Sequence, residues 1–295
     1  MLYLKCTSVA KLRRYLGHLL CGLTCLWFLK FAESNSLYPS VDTATHLRGS
    51  VELQSESARG SILPRATVTG ASKNHESTLL SFLENYHEKN RENIPLVVYD
   101  LGLSSTTLLL IQKQHPWIEV RWFNFSQYPE FFDVGVARGE YAWKPIIVKE
   151  MLDTTSTMVL WLDSGDKLTH SDSLSAVFLI MSQNGYFTTE TDGTIATWVH
   201  PDMLAFFDFH DEHKPMCNGA IIGFDKNYPN IYKEVVEPWA HCALNKACIA
   251  PASSSRANHR QDQSALTVLL SMTDRHCAFK ADITLHTDAD EPPDR

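Results

Sequence analysis

Residues 158–162 read MVLWL, and residues 163–166, which follow without a break, read DSGD. A short apolar run that ends in a turn signal is typical of a buried β-strand. Two carboxylates at the end of such a strand are costly to bury unless they hold a ligand. Asp163 and Asp166 are therefore candidate ligands of a divalent metal, which prefers hard oxygen atoms. The alternative is an ordinary Asp-Gly turn that ends the strand.

Apolar strands and amphipathic helices alternate in the chain upstream of this run. The sequence predicts strands over residues 65–71, 94–100, 118–123 and 158–162, and helices over residues 74–89, 104–114 and 142–152. Ser104 is a typical N-cap, and Pro145 falls in the first turn of its helix, where proline is tolerated. The alternation predicts an α/β fold, a sheet of parallel strands with helices on both faces. Ligands of such sheets bind at the carboxyl ends of the strands.

Composition and charge narrow the class of protein. The chain has 295 residues, of which 44% are hydrophobic and 20% are charged, as in a globular protein. This composition excludes a disordered chain, a collagen-like repeat and a small disulfide scaffold. The formal net charge of −8 argues against a nucleic-acid partner bound through its phosphates.

The first 32 residues differ from the rest, because they hold five Lys or Arg and no acidic residue. Within them, residues 15–29 read YLGHLLCGLTCLWFL, with four basic residues before the run and Lys30 after it. That arrangement is typical of a signal-anchor with a cytosolic N-terminus, and a cleaved signal peptide is the alternative. We predict a cytosolic tail (1–14), a transmembrane signal-anchor (15–32), a flexible Ser-rich stem (33–63) and a lumenal domain (64–295). The predicted location is therefore the Golgi or endoplasmic reticulum membrane, single-pass and type II.

The cysteines agree with an oxidising lumen. The predicted lumenal domain holds four of them, Cys217, Cys242, Cys248 and Cys277, an even number that indicates two disulfides. Three pairings are possible, and we favour Cys242–Cys248, which closes a short loop and leaves Cys217–Cys277. Asn124 begins an N-glycosylation sequon, Asn-Phe-Ser.

Five motifs, in this order, resemble those of the GT-A glycosyltransferases. They are VVYDLGLS (97–104), YAWKP (141–145), WLDSGD (161–166), CNGAIIGF (217–224) and HRQDQSAL (259–266). Together they are most similar to an uncharacterised GT-A-like group, DUF1647, over about residues 67–272. The resemblance implies a GT-A (Rossmann-like) mixed sheet with helices on both faces. It also implies a nucleotide-diphospho-sugar donor, a glycan or glycoprotein acceptor, and Mn²⁺ or Mg²⁺.

The resemblance also implies roles around the metal. Asp163 and Asp166 would hold it, and His286 would complete the metal shell. The sequence departs from the Asp-x-Asp motif of the family, because Gly165 takes the third place. Lys144 would face the diphosphate of the donor, and its alternative is a solvated helix lysine.

The resemblance assigns the remaining donor contacts to turns at strand ends. Thr69, Gly70 and Ala71 would approach the nucleobase or ribose, where glycine permits a close backbone. Asp100 would bind the ribose or the base. The alternative for residues 69–71 is a plain turn between a strand and a helix, and the alternative for Asp100 is a turn residue that caps a helix.

The sugar side of the site is implied by two later motifs. Asn218 and Gly219 would bind the donor sugar, and the catalytic pair would be Asp262 and Gln263. The alternative for Asn218 and Gly219 is a tight turn before a strand, and the alternative for Asp262 and Gln263 is an ordinary helix N-terminus. For a general base, Glu190 and Asp192 also remain open, and no GxSxG elbow of a hydrolase is present. The alternative function is a catalytically silent lumenal module that binds a sugar or a protein.

Overall fold

The computed structural model describes residues 63–277 and 279–284. The predicted tail and anchor, nearly all of the predicted stem, and His286 lie outside the described residues. Those described belong to one compact unit, Ser57–Arg295. Within the described ranges, no helix has the length and apolar character that crossing a bilayer requires.

The strands form one large sheet and one small one. In chain order they are β1 (Leu63–Ala71), β2 (Leu96–Asp100), β3 (Glu119–Trp122), β4 (Ser156–Leu162), β5 (Lys167–Leu168), β6 (Tyr186–Thr194), β7 (Pro215–Asp225) and β8 (Ile283–Thr284). The large sheet has the order β3-β2-β1-β4-β7-β6. Strands β3, β2, β1 and β4 run parallel to one another, whereas β7 runs antiparallel to β4 and β6. The predicted mixed sheet is confirmed, and β5 pairs with β8 in the small sheet.

Helices connect these strands. They are α1 (Glu76–Lys89), α2 (Ser105–Gln114), α3 (Trp143–Thr154), α4 (Ser173–Asn184), α5 (Ile195–Trp198), α6 (Pro201–Phe207), α7 (Pro229–Ile231), α8 (Glu237–Ala243), α9 (Lys246–Ile249) and α10 (Gln261–Met272). A π-helical turn joins α7 to α8. Three 3₁₀ turns cover Lys73–His75, Phe125–Gln127 and Glu130–Phe132.

The large sheet lies between two layers of helices, as predicted. Helices α1, α2 and α4 pack on one face of the sheet, and α3, α8 and α10 pack on the other. Helix α1 shows why: its buried side chains, Leu79, Phe82, Leu83 and Tyr86, recur with helical spacing and form a single apolar stripe. The predicted cap is also present, because the Ser104 hydroxyl accepts a hydrogen bond from the Thr107 N–H.

Sheet topology brings three chain segments to one edge. Strands β1 and β4 are parallel neighbours, so their carboxyl ends lie side by side. Strand β7 is antiparallel to β4, so its beginning reaches the same edge, and the Asp163 N–H donates to the Ala220 carbonyl at 3.0 Å. The DSGD segment therefore faces Asn218 and Gly219, which form a local turn at an irregularity in the pairing of β7 with β6.

Two disulfides lie in the hydrophobic core on the α3, α8 and α10 side of the sheet. Cys217–Cys277 ties β7 to the segment that follows α10, and Cys242–Cys248 links α8 to α9. The favoured pairing among the three possible ones is confirmed.

Candidate active site

A cleft of about 620 Å³ opens at this edge of the large sheet. Its walls come from the ends of β1 and β4, the start of α3 and the segment before α3. The principal lining residues are Gly70, Ala71, Leu101, Arg138, Tyr141, Trp143, Lys144, Asp163, Ser164 and Gly165.

The Lys144 ammonium lies at the floor of the cleft and joins three chain segments. Its Nζ is 2.9 Å from Asp163 Oδ1, 3.5 Å from Asp262 Oδ2 and 2.9 Å from the Gly219 carbonyl oxygen. The side chain is 4% exposed, and Asp262 is 6% exposed. Helix α3, the end of β4, the start of β7 and the start of α10 therefore meet at one buried cation.

Electrostatics keep this cation charged. Burial on its own would lower the pKa of Lys144, but the carboxylates of Asp163 and Asp262 outweigh burial and hold that pKa above its usual value. Burial raises the pKa of the Asp262 carboxyl, and the charge on Lys144 opposes this rise without cancelling it. The ammonium also lies 5.1 Å from the centre of the Trp161 ring, within cation–π range.

Asp163 is the acidic side chain that reaches the cleft, and it is 34% exposed. Its Oδ1 accepts hydrogen bonds from Trp161 Nε1 at 2.6 Å and from Lys144 Nζ. Asp166 instead points inward and is fully buried. Its Oδ2 accepts from the Asp163 N–H at 3.1 Å, while its own N–H donates to the Asp163 carbonyl. The structure thus gives Asp166 a place in the turn rather than in the cleft.

A divalent metal does not fit the described residues of the cleft. Such an ion takes several oxygen ligands, but Asp163 is the only acidic side chain among the described residues that line the cleft. Asp166 is engaged in the turn, and Asp262 is buried against Lys144. Across residues 63–277 and 279–284, no three His, Cys, Asp or Glu side chains are grouped as a metal site would require. The predicted third ligand, His286, lies outside these ranges.

The predicted nucleotide contacts divide into two groups. Gly70 and Ala71 line the cleft, and a Cβ on Gly70 would lie 3.2 Å from Leu101 and Trp161. Thr69 is buried in the sheet, and its hydroxyl has no hydrogen-bond partner among the described residues. Asp100 caps a turn, since its Oδ1 accepts from the Gly102 and Leu103 N–H groups. Neither Thr69 nor Asp100 lines the cleft, and their predicted contacts with the donor stay predictions.

The predicted sugar-side residues are brought together. The Asn218 Oδ1 accepts from the Ala220 N–H at 2.7 Å, which fixes the turn, and Gly219 presents its carbonyl to Lys144. A Cβ on Gly219 would lie 3.0 Å from Gln263 Cβ, so β7 and α10 touch at this glycine. Asp262 reaches Lys144 and Gln263 packs against Gly219, but neither these two residues nor Asn218 and Gly219 line the cleft. Glu190 and Asp192 are exposed on β6 and do not line the cleft.

The segment Ala137–Tyr141 forms a left-handed turn that the sequence pattern did not predict. All five residues have positive φ angles, including Arg138 at 56° and Glu140 at 50°. L-residues adopt this conformation rarely, at roughly 1–2 kcal/mol each, and such strain is concentrated at functional sites. Arg138 and Tyr141 from this turn line the cleft, and Arg138 Nη1 donates to the Tyr141 hydroxyl at 2.9 Å.

Gly139 is the residue that allows this turn, and we expect Gly139→Ala to destabilise the protein. Its φ is +62°, and an added Cβ would lie 2.2 Å from the Phe132 carbonyl oxygen, a backbone atom. We expect a loss of about 2–3 kcal/mol in unfolding free energy, measured by urea denaturation. Gly135→Ala is the matched control, because its Cβ would meet nothing closer than an Asp133 side-chain oxygen at 3.2 Å. Equal effects of the two changes would contradict the steric role of Gly139.

A second cavity, of about 1050 Å³, adjoins the cleft across Arg138 and Tyr141. Its far wall carries Arg256 and Gln261. Gln261 Nε2 donates to Glu140 at 3.2 Å, while Gln261 Oε1 is buried and has no partner among the described residues. The Gln261 side chain and the side chains of Arg138 and Arg256 therefore make the walls of this cavity polar.

His259 anchors the loop that carries Arg256. We expect it to make the unfolding free energy decrease as the pH is lowered from 6.5 to about 4. Burial lowers the pKa of His259 to about 4. Its Nδ1 accepts from the His200 N–H, so its Nε2–H donates to the Ile249 carbonyl. Between pH 6.5 and about 4 the unfolded state binds the extra proton, so acid favours unfolding by up to about 3 kcal/mol.

Urea denaturation from pH 7 to pH 4 measures this dependence. His259→Gln, although less stable at pH 7, should flatten the curve across this window. His241→Gln, at an exposed position, should leave the slope unchanged. A wild-type unfolding free energy that does not vary across the window would contradict the assignment.

Residues 51–149 match the family model described as "Protein of unknown function (DUF1647)". No curated protein matches the chain. Among solved structures, the mannosyltransferase Ktr4p from S. cerevisiae is similar at 12% identity and a TM-score of 0.50, with 82% of this chain and 74% of that chain covered.

Two further solved structures are similar. Core-mannan synthase A from Aspergillus fumigatus, in its Mn/GDP form, has 11% identity and a TM-score of 0.50, with 79% of this chain and 77% of that chain covered. The galactosyltransferase LgtC, solved with donor and acceptor sugar analogs, has 13% identity and a TM-score of 0.49, with 78% and 90% covered. At such identities the two fungal structures show the fold alone, and the predicted GT-A fold is confirmed.

Proposed function

We propose that the protein is a glycosyltransferase that moves a sugar from a nucleotide-diphospho-sugar to an acceptor. The observation that carries this proposal is the convergence on Lys144 of the β4 end, the Asn218-Gly219 turn and the start of α10. These segments meet at Lys144, on the floor of a cleft at the carboxyl ends of the strands of a GT-A sheet, where ligands of α/β sheets bind.

The lining residues suggest how the donor is arranged. Gly70 and Ala71 provide a close backbone for the nucleoside. Asp163 offers a carboxylate that accepts hydrogen bonds from hydroxyl groups. The donor sugar would lie between this carboxylate and Gln263, over the Asn218-Gly219 turn. Because Asp262 is buried against Lys144, its role would be to hold the Lys144 ammonium in position at the floor of the cleft.

The acceptor belongs in the second cavity under this proposal. That cavity adjoins the cleft, and Gln261, which lines it, directly precedes Asp262. A buried amide oxygen without a partner discriminates well in favour of ligands with hydroxyl groups. A glycan or the glycan of a glycoprotein has such groups.

We also propose a lumenal location in the secretory pathway, at the Golgi or endoplasmic reticulum membrane. Two disulfides join the four cysteines of the predicted lumenal domain. Disulfides persist in oxidising compartments. This supports the predicted lumenal location of the domain.

Donor binding tests the proposed activity. The full chain, expressed in a secretory host and kept in detergent, is titrated with UDP-sugars and GDP-sugars, each with EDTA and with Mn²⁺. We expect one nucleotide-sugar to raise the unfolding temperature, because a ligand that binds the folded state stabilises it. Asp163→Asn should weaken this shift, and the exposed Asp202→Asn is the matched control. Transfer of the bound sugar to glycoprotein glycans is then followed by mass spectrometry.

A silent binding module is the second candidate, and the inward orientation of Asp166 favours it. Such a module would bind a glycan with no nucleotide present. Stabilisation by a glycan panel, together with no effect of any nucleotide-sugar, would select this candidate over the transferase.

A further inference from the structure

We infer that Asn124 carries an N-linked glycan and that this glycan covers the exposed Trp122 at the edge of the large sheet. The inference goes beyond the proposed transfer reaction and rests on the proposed lumenal location, where N-glycosylation takes place. Asn124, Phe125 and Ser126 form the only Asn-x-Ser/Thr sequon in the sequence. Its middle residue is not proline, as the modification requires.

The sequon lies in a surface turn that directly follows the edge strand β3. The Asn124 Oδ1 accepts hydrogen bonds from the Ser126 N–H at 3.2 Å and from the Ser126 hydroxyl at 2.7 Å. Phe125 packs against Phe123, with the two ring centres 4.8 Å apart, and it contacts the hydrophobic core. Ser126 is exposed. The middle residue of the sequon therefore anchors the turn, while its serine lies at the surface.

The nitrogen atom that would carry the glycan is Asn124 Nδ2, and it is accessible to solvent. Both hydrogen bonds of this amide end on Oδ1, and Nδ2 donates to no described residue. Nδ2 is nevertheless not one of the buried side-chain atoms that lack a partner in the described part of the chain. An atom with neither a partner nor burial faces water. A glycan on Nδ2 is therefore compatible with the folded turn.

The co-reactant of this modification is a lipid-linked diphospho-oligosaccharide, which the secretory pathway supplies. Asn124 Nδ2 forms a bond to the anomeric carbon of the first sugar, while the bond from that carbon to the diphosphate oxygen breaks. The lipid diphosphate leaves with the electron pair, and Nδ2 gives up one proton. The product is a bulky, solubilising oligosaccharide on the surface of the protein.

Trp122 is the exposed aromatic side chain beside this amide. It is 70% exposed at the end of β3, and Val120 on the same strand is 38% exposed. Trp122 and Asn124 are two residues apart, or roughly 7 Å along an extended chain, a distance that one or two pyranose rings span. The C–H groups of a pyranose ring carry a slight positive charge, so they pack well on the negative face of an indole ring.

The strand that carries Trp122 also needs cover. β3 is at one end of the large sheet and pairs with β2, and three of its four residues are exposed. The unpaired backbone groups of such an edge can pair with another chain, so folded proteins cover or blunt them. A hydrated oligosaccharide two residues beyond Trp122 would hinder the approach of a second chain to both the indole ring and the strand edge.

Enzymatic deglycosylation of the full chain tests the site. The chain is expressed in a secretory host and treated with a peptide-N-glycosidase, which converts a glycosylated asparagine to aspartate. We expect a loss of mass on treatment, and peptide mass spectrometry should find aspartate at position 124. Asn124→Gln and Ser126→Ala should each abolish this loss. Asn124→Gln should leave stabilisation by the donor unchanged, because Asn124 lines neither cavity of the candidate site.

Ala247→Ser is the matched control, because it adds a second sequon, beginning at Asn245, in a turn with the same hydrogen bond. The Asn245 Oδ1 accepts from the Ala247 N–H at 3.0 Å, and Ala247 is exposed. A glycan at Asn245 in this variant, with none at Asn124, would overturn the inferred site and leave the lumenal location intact. A glycan at neither position would overturn the lumenal location and the inference with it, while the donor titration tests the transfer reaction separately.

Quenching of tryptophan fluorescence by acrylamide tests the contact with Trp122. Removing the glycan from the folded chain should increase the quenching, because the glycan shields the exposed indole. Trp122→Phe should abolish this increase. Trp117→Phe should retain it, because Trp117 is an exposed tryptophan that stacks on His87 instead. Quenching that does not change on deglycosylation would overturn the contact with Trp122 and leave the glycan at Asn124 in place.

Discussion

Replacing Lys144 by methionine is expected to lower the unfolding free energy by about 3–5 kcal/mol, the usual cost of breaking a buried ion pair by removing one partner. The substitution preserves most of the side-chain volume, so little of the effect comes from a cavity. Its cause is the buried Asp262 carboxylate, which lies 3.5 Å from the ammonium and would lose its counter-ion. Donor binding should fall with it, because the floor of the cleft would lose the link between α3, β7 and α10. Urea denaturation at pH 7 measures the stability, and titration with the nucleotide-sugar identified for the wild type measures the binding.

Two companion variants make this prediction specific. Lys144→Met combined with Asp262→Asn should recover part of the lost stability, because the uncompensated charge is removed. Lys149→Met on the same helix is the matched control. Its ion pair with Asp153 is partly exposed, so the cost should stay below about 1 kcal/mol. A Lys144→Met variant as stable as this control would show that the ammonium is not a structural counter-ion.

Removing the two disulfides should have unequal effects on stability. Cys217–Cys277 spans 60 residues and Cys242–Cys248 spans 6. By loop-closure entropy, losing the first costs about 4 kcal/mol and losing the second about 2 kcal/mol. The paired variants Cys217→Ala/Cys277→Ala and Cys242→Ala/Cys248→Ala remove equally buried sulfur atoms, so cavity effects are similar.

Guanidinium denaturation of both double variants checks the order. The larger loss should belong to the pair that joins β7 to the segment after α10, which also holds the Asn218-Gly219 turn near the cleft. The opposite order would contradict the loop-closure argument, because the short disulfide would then contribute more to the unfolding free energy than the long one. In that case the Cys217 end of β7 would owe its place to packing alone.

Local signals were enough to predict the layered α/β fold. The apolar run before Asp163, the serine cap at Ser104 and the spacing of apolar residues in α1 each depend on neighbours in the chain. Their agreement explains why strands and helices occur close to where they were predicted. The disulfide pairing was also accessible, because cysteines six residues apart can meet within one short loop.

Other features depend on residues far apart in the sequence. The left-handed turn has no signal in the letters ARGEY beyond one glycine, because its backbone is held by Phe132 and Trp143 from neighbouring segments. Arg138 was missed for that reason. The inward position of Asp166 was equally hidden, since DSGD is compatible with both a ligand site and a turn.

The amino-acid sequence by itself predicted the first four strands, the helices between them and the acidic turn at the end of β4, since these depend on short-range pattern and spacing. It left three cysteine pairings open and did not predict β5, β6 or β8. Only the tertiary structure decided which charges meet. Lys144 lies at the start of α3 and Asp163 directly follows β4, the next strand in the chain. Asp262 reaches them from α10, about a hundred residues further along the chain. Coulombic pairing acts through space, so the partners of a buried ammonium follow from the sheet topology that gathers them.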